Sequence, residues 1–263
     1  MSDLEYGYLG NAPTQAQTSN TGVFSADDVY DLKSNNKWTL SIPRSNLIQQ
    51  LEKRFWTSGS TWYDQSGNGY NATFNGTIRD TNLFDSTYGE FQFNFSQTSD
   101  WLNLNANALQ QISSSSAWSF AFVAYSSFNA GYGLSIASPS TDNEFIIGNA
   151  TNEYRAWRNA TANSSESSRY QFVVLYYNGS NAKVYNSYNA STHTIGGSQN
   201  NITNATGFVL NQEQDSVLGG FSSSQASYWN ISAFTVYDEV LSSAKITELE
   251  RYFKQYYEIE STL

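Results

Sequence analysis

The chain has no cysteine, one histidine and three prolines in 263 residues. Without cysteine there is no disulfide framework, no thiolate zinc site and no thiol nucleophile. With His193 as the sole imidazole, a Ser-His-Asp triad would have to pass through "NASTHTIGG", a polar stretch that reads as a turn. Charge is scarce, at 14% of residues, and lopsided, with 13 basic side chains against 23 acidic ones and a formal net charge of −10. No Lys/Arg cluster offers a phosphate-binding face, so nucleic acid is excluded as a partner, and anionic membranes are disfavoured on the same ground. No apolar run approaches the ~18 residues of a membrane span. "MSDLEYGYLGNAPTQAQ" has neither the basic n-region nor the apolar h-region of a secretory signal.

Aromatics, by contrast, are plentiful: 19 Tyr, 16 Phe and 7 Trp make up 16% of the chain. Disordered chains are poor in such residues, so a folded protein with a large core is expected. Tyr, Phe, Trp, Val and Thr suit pleated, half-buried surfaces, which points to strands. Asn-x-Ser/Thr triplets recur from Asn71 to Asn230. Glycosylation needs passage through a secretory pathway, so in a chain without a signal these sequons are expected to stay bare.

Residues 1–37 are polar and rich in Asn, Thr and Gln, with small apolar anchors at Tyr6, Tyr8, Leu9, Val23, Phe24, Val29 and Tyr30. Such a segment cannot bury enough apolar area to fold by itself. It reads as a flexible tail or as an arm that orders against a partner, and the anchors favour the arm. In residues 38–55, "IPRSNLIQQLEKRFW" follows; Ser45 as a cap and Leu47, Ile48, Leu51 and Phe55 on one face predict a short helical connector.

From residue 56 strand follows strand. "EFQFNFS" alternates Phe91, Phe93 and Phe95; "WLNLN" comes next; "AWSFAFVAY" puts Trp118, Phe120 and Phe122 on one side. "RYQFVVLYYNGSNAKVYNSY" reads as a hairpin turning at Asn178-Gly179 and returning through Val184 and Tyr185. Short strands at close spacing imply an all-β sandwich or barrel. "LSSAKITELERYFKQYY" ends the pattern as a helix capped by Ser242, with Ile246, Leu249, Tyr252, Phe253 and Tyr256 on one stripe and Glu250 with Lys254 as an i,i+4 pair on another face.

Four stretches together carry a resemblance. "TWYDQSGNGYNATFNG", "GEFQFNFSQTSDWLNL", "YQFVVLYYNGSNAKVYNS" and "SVLGGFSSSQASYWNISAFTVYDEVLSSAKITELERYF" occur in the order found in laminin-G-like, concanavalin A-like jelly-roll domains. The resemblance covers roughly residues 56–258 and implies a sandwich of two antiparallel sheets with a C-terminal helix over 56–263. Two departures stand out: Asn94 in "FNFS" replaces an acidic residue common in relatives, and Lys245 stands where a capping box would have Glu. Residues 1–37 resemble leader segments of tailed-bacteriophage structural proteins, in which "GVFS" precedes an Asp/Tyr-rich stretch ending at Trp.

The functional expectations follow from both resemblances. The first is a non-enzymatic virion structural protein, a capsid decoration, head projection or fibre component. It would be made in the host cytoplasm and dock on other virion proteins of capsid or tail through Tyr6, Tyr8, Leu9, Val23 and Phe24, as a homo-oligomer in a symmetric assembly. The alternative is a carbohydrate-binding module of a tail fibre that recognises host-surface glycans, with Tyr154, Trp157, Tyr228 and Trp229 as aromatics beside polar turns. Each ring in an alternating strand is more often core than binding surface. A glucan hydrolase comes third, because relatives of that kind set paired carboxylates on one strand face. Here Glu248 and Glu250 lie on the final helix, and the acids of "DNEF" and "YDEV" are strand neighbours on opposite faces. Calcium could draw on Asp64 with Asn68, or on Asp142 with Glu144. Asp64 before Ser-Gly reads first as a turn residue, and Asn68-Gly69 and Asn75-Gly76 as tight turns. No cofactor, metal or catalytic residue is expected.

Overall fold

Alternation of large apolar residues sets the two-sheet layout seen in the computed structural model. The model describes residues 14–16, 19–21 and 41–259, apart from 78, 83–87, 93–98, 114–116, 127–130, 140, 151–152, 158–160, 166–169, 188–189, 196–201, 203–204 and 224–228. The chain divides into two units, Met1–Ile42 and Pro43–Leu263. In the first, β1 (Thr14–Ala16) and β2 (Ser19–Thr21) form an antiparallel hairpin. The anchors Tyr6, Tyr8, Leu9, Val23 and Phe24 lie outside the described residues.

The second unit begins with β3 (Leu47–Glu52), β4 (Thr61–Trp62), β5 (Ala72–Asn75), β6 (Arg79–Thr81), β7 (Glu90–Gln92) and β8 (Trp101–Asn103). A short helix, α1 (Ala106–Ser113), leads to β9 (Trp118–Ser126), β10 (Gly131–Ser138), β11 (Thr141–Ala150), β12 (Glu153–Trp157) and β13 (Thr161–Ser165). Then come β14 (Gln171–Tyr177), β15 (Ala182–Asn186), β16 (Ser191–Ile195), β17 (Gly207–Leu210), β18 (Trp229–Tyr237) and the final helix α2 (Ser243–Tyr256). One sheet runs β13-β12-β11-β10-β17-β8-β5-β4 and the other β16-β15-β14-β9-β18-β7-β6, each neighbouring pair being antiparallel. These are the two antiparallel sheets and C-terminal helix of an all-β sandwich.

Trp118, Phe120, Phe122 and Ala124 of β9 point into the core with Val173 and Leu175 of β14, and Leu134, Ile136, Phe208 and Leu210 enter it from the other sheet. Phe208 meets Phe120 at 5.4 Å and Phe234 at 5.8 Å between ring centroids, tying the layers together. A register shift between Ile231 and Ala233 changes the parity of β18, so that Ile231, Phe234 and Val236 all reach the core. The hairpin predicted at Asn178-Gly179 is present: Asn178 Oδ1 accepts from Ser180 N and Asn181 N, and Gly179 takes φ of 86°. His193 lies in β16 opposite Val184, so Ser191–Ile195 of the stretch read as a turn is a strand. Asn230 is fully buried in β18, where a glycan has no room.

The helix expected from Ser45 onward is absent. Leu47–Glu52 is a strand paired with β18, from Tyr237 opposite Leu47 to Ala233 opposite Glu52. The spacing of Leu47, Ile48 and Leu51 suits a helix, but the edge of β18 beyond β7 needs partners for its backbone, and that tertiary demand overrides local preference. Gln49 consolidates the strand by donating to Leu104 O at 2.6 Å and Tyr70 O at 2.5 Å. Ser45, in place of capping, accepts from Lys245 Nζ at 2.7 Å.

Asp64 fastens the next loop to β3. Its carboxylate accepts from Gln50 N, Ser66 N and Tyr70 N at 2.9 Å each and from Ser66 Oγ at 2.7 Å. Asn68 Nδ2 donates to Ile48 O at 2.8 Å. The pair therefore serves a turn, and both Asp64 oxygens already have partners that a cation would have to displace.

Helix α2 lays its predicted stripe, Ile246, Leu249, Tyr252, Phe253 and Tyr256, against the outer face of the second sheet, with Phe253 5.6 Å from Phe172. Ser242 caps it by accepting from Lys245 N at 3.3 Å. Glu250, expected on a separate face, is buried and accepts from Tyr185 OH at 2.5 Å. Glu52 is also fully buried and accepts from Tyr252 OH at 2.6 Å, Arg54 Nε at 2.7 Å and Tyr257 OH at 3.4 Å, and from Gln50 Nε2.

Two outcomes test this packing. Asp64→Ala leaves three backbone N–H groups without their acceptor and is expected to lower stability by about 2–4 kcal/mol in urea unfolding, with Asp64→Asn losing less. Burial, followed by the carboxylates of Glu250 and Glu52 respectively, holds the phenols of Tyr185 and Tyr252 above their ordinary pKa of ~10. The folded state therefore keeps protons that the unfolded chain gives up. The stability these two phenols contribute is fully present below about pH 10 and is lost as pH rises through the raised values. Phenolate absorbance should accordingly show one group of tyrosines that ionises only as the β-sheet circular dichroism is lost.

Candidate functional site

Between Glu52 and Ser60 the chain leaves the sheet and builds a depression. Lys53–Phe55 forms a single 3-10 turn, closed by Trp56 N donating to Lys53 O at 2.9 Å. Side chains part company here: Glu52 at the end of β3 and Arg54 in the turn engage Tyr252 of α2, whereas Lys53 joins the aromatic rings of the opposite side. Trp56 then folds over the polar loop that follows, its Nε1 donating to Gly59 O at 3.3 Å. Phe74 N donates to Ser60 O at 2.8 Å, which fixes the far side of that loop to β5.

The depression is lined by Trp56, Gly59, Ser60, Phe74, Gly76, Asp80 and Phe91 and encloses about 190 Å³. Its floor is aromatic: Phe91 lies 5.1 Å from Trp56, 5.0 Å from Trp62 and 4.5 Å from Phe74 between centroids. Phe91 and Trp62 are buried, while Trp56 and Phe74 are partly exposed and face the opening. Gly76 takes φ of 77°, and a Cβ there would stand 2.1 Å from Asp100 Oδ1, so the turn at the rim requires glycine.

One ion pair sits at the edge. Lys53 Nζ is 2.8 Å from Asp80 Oδ1, with the Lys53 side chain 8% exposed and that of Asp80 52%. The ammonium also lies over the rings of Trp56 at 4.8 Å and Phe91 at 5.1 Å. Asp80 is the one acidic group among the described residues that line the depression. Paired-carboxylate hydrolysis requires two acids facing each other across the bond to be cleaved. The buried carboxylate of Glu52 is closed to substrate by its four donors. Among the described residues no group of three or more His, Cys, Asp or Glu is placed to hold a metal ion, and no helix is long and apolar enough to cross a membrane.

The described residues that line the depression are others than the aromatics singled out in the sequence. Tyr154 and Trp157 lie in β12, opposite Asn149 and Ile146 of β11, and Trp229 opens β18 in the other sheet. Their side chains lie outside the described residues, as do Tyr228 and the carboxylates of Asp142 and Glu144. Trp56 was the missed residue. Its signal was the polar "TSGS" immediately after it, which marks an aromatic at a turn and outside any alternating strand. Tyr63, at 51% exposure, is a second aromatic on the same chain segment that faces water.

No protein-family model and no curated protein matches the sequence. The fold does have likenesses among solved structures. The binding domain of botulinum neurotoxin DC in complex with SialylT is similar at a TM-score of 0.58 and 16% identity, over 79% of this chain and 52% of that one. A structure of botulinum neurotoxin type C, which depends on interaction with two ganglioside molecules to enter cells, matches at 0.56 and 15%, over 79% and 51%. A mutant Trypanosoma rangeli sialidase displaying trans-sialidase activity matches at 0.53 and 14%, over 86% and 38%. The chain thus spans about half the length of the neurotoxin chains it matches. At such identities the likeness concerns the fold: the second unit is a β-sandwich of the kind found in those binding domains.

Proposed function

We propose that this protein is a carbohydrate-binding β-sandwich module, with the Trp56 depression as its site. The observation that carries the reading is the combination at one opening of a partly exposed indole, a half-exposed carboxylate and a polar loop with Gly59 in it. Sugars are recognised by an aromatic surface for the apolar face of the ring and a few fixed polar groups for its hydroxyls. At about 190 Å³ the depression is smaller than the ~300–1,000 Å³ of drug-sized sites, which suits a single ring with the rest of a glycan in solvent. The neurotoxin neighbours, with their SialylT and ganglioside partners, add support from fold analogy. The proposed role is binding without turnover, and the lone carboxylate among the described lining residues supports it, since paired-carboxylate hydrolysis uses two.

The module's setting is a separate proposal. Residues 1–42 are a unit of their own with a β1-β2 hairpin, in keeping with a segment that serves a partner and not the sandwich core. The partner proposed is another virion protein of capsid or tail, with the sandwich displayed toward host-surface glycans.

A glycan array probed with the full chain should show binding, and Trp56→Ala should weaken it by about tenfold, ~1.4 kcal/mol, without lowering the melting temperature by more than a few degrees. An array without a single bound glycan would remove the carbohydrate reading. For the setting, immunogold labelling of purified phage particles should decorate heads or tails, and particles free of label would end the virion proposal.

A further inference from the structure

Building on the carbohydrate reading, we infer that the Trp56 depression selects neutral sugars and rejects sialylated ones. A sialic acid brings a carboxylate, which needs a free cation or an open set of N–H donors. Lys53 is the ammonium at this place, and each of its approaches is taken. Asp80 holds it at 2.8 Å, the rings of Trp56 and Phe91 lie against it, and its side chain is 8% exposed. Arg79 is the next residue of β6 and by strand alternation projects from the opposite face. The charge a ligand meets is therefore the carboxylate of Asp80, 52% exposed, in a chain whose net charge is −10. Like charge at the rim and across the molecule disfavours an anionic ligand both in approach and in contact.

A neutral pyranose meets the reverse situation. Its hydroxyls donate to the Asp80 carboxylate in charge-assisted bonds. Its apolar face covers the partly exposed Trp56 ring. Gly59 has open space where a Cβ would stand, so the ring can approach the loop backbone closely. Selectivity then lies in the Lys53-Asp80 pair. Its carboxylate is offered outward and its ammonium is turned inward, and the aromatic floor keeps it so.

The test is an array that presents neutral oligosaccharides ending in galactose, glucose, mannose or fucose beside the same glycans carrying terminal sialic acid. The full chain should bind one or more neutral glycans at least tenfold more tightly than the sialylated counterparts. Asp80→Asn should weaken the neutral ligand by about tenfold and narrow the ratio, because it removes the repelling charge and releases Lys53. A ratio that shifts while the melting temperature stays near wild type separates this role from a structural one. Equal or tighter binding of the sialylated members would overturn the selectivity and leave carbohydrate binding standing. A neutral preference that survives both Trp56→Ala and Asp80→Asn would overturn the assignment to this depression. Absence of binding to every glycan would instead remove the carbohydrate reading on which the inference rests.

Discussion

A carboxylate taken wholly out of water joins the first strand of the sandwich to its last helix. Glu52 accepts from Tyr252, Tyr257, Arg54 and Gln50, and none of its surface is exposed. Burying a charge this deeply adds little net stability, yet leaving it without a partner costs about 3–5 kcal/mol. Its donors therefore have to arrive together, and that requirement aligns β3, the turn after it and α2 in one arrangement. Arg54 completes the assembly, its guanidinium 3.7 Å over the Tyr256 ring and 5.4 Å over that of Tyr252. With Glu52 and Arg54 committed to the helix, Lys53 is left to the other side. There it meets Asp80 and the rings that floor the depression. The geometry of the candidate site is thus a by-product of how the C-terminal helix is attached.

The same rings serve two purposes along a gradient of exposure. Phe120, Phe122, Phe208 and Phe234 form the centre of the core, where their worth is area removed from water. Toward the β4-β5 end, Trp62 and Phe91 are still buried, but Phe74 and Trp56 are not. A core that runs out into a partly exposed aromatic surface gives a rigid platform, because the exposed ring is packed from beneath by buried ones. Trp56 is held on Phe91 and hydrogen-bonded to Gly59, so little of its freedom remains to be lost when a ligand binds.

Where period and burial agree, the sequence can be read directly. The stripe from Ile246 to Tyr256, the cap at Ser242, the core face of β9 and the turn at Asn178-Gly179 are all decided by local spacing and are present as read. The helix read into residues 45–55 fails because six residues with three apolar ones fit either period. The deciding fact is the unfilled edge of β18, some 185 residues later in the chain. Spacing places Glu250 with Lys254 on a face apart from the apolar stripe; its burial depends on a tyrosine 65 residues earlier. The candidate site was illegible for the same reason. It assembles residues 53, 56, 74, 80 and 91 from four different elements, and no window of sequence contains the pairing of Lys53 with Asp80. Trp56 stands beside a polar turn too, but in a short connection outside any alternating strand, where no period marks it.

Fold and ligand are separable here, and the Lys53-Asp80 pair shows why. A two-sheet sandwich determines where loops can cluster but leaves open what charge they carry. The neurotoxin neighbours, one in complex with SialylT and one whose cell entry depends on two ganglioside molecules, share the layers with this chain at 16% identity or less, so the residues at any one opening are free to differ. In this chain the opening beside Trp56 shows a carboxylate to solvent and keeps its ammonium under two rings. Reversing that order, with the cation outward and the acid buried, would leave every strand in place and change the sign of charge the opening presents. On the proposed reading, recognition is set by which member of one ion pair the aromatic floor covers, and that is a matter of side-chain packing within an architecture held elsewhere by Glu52.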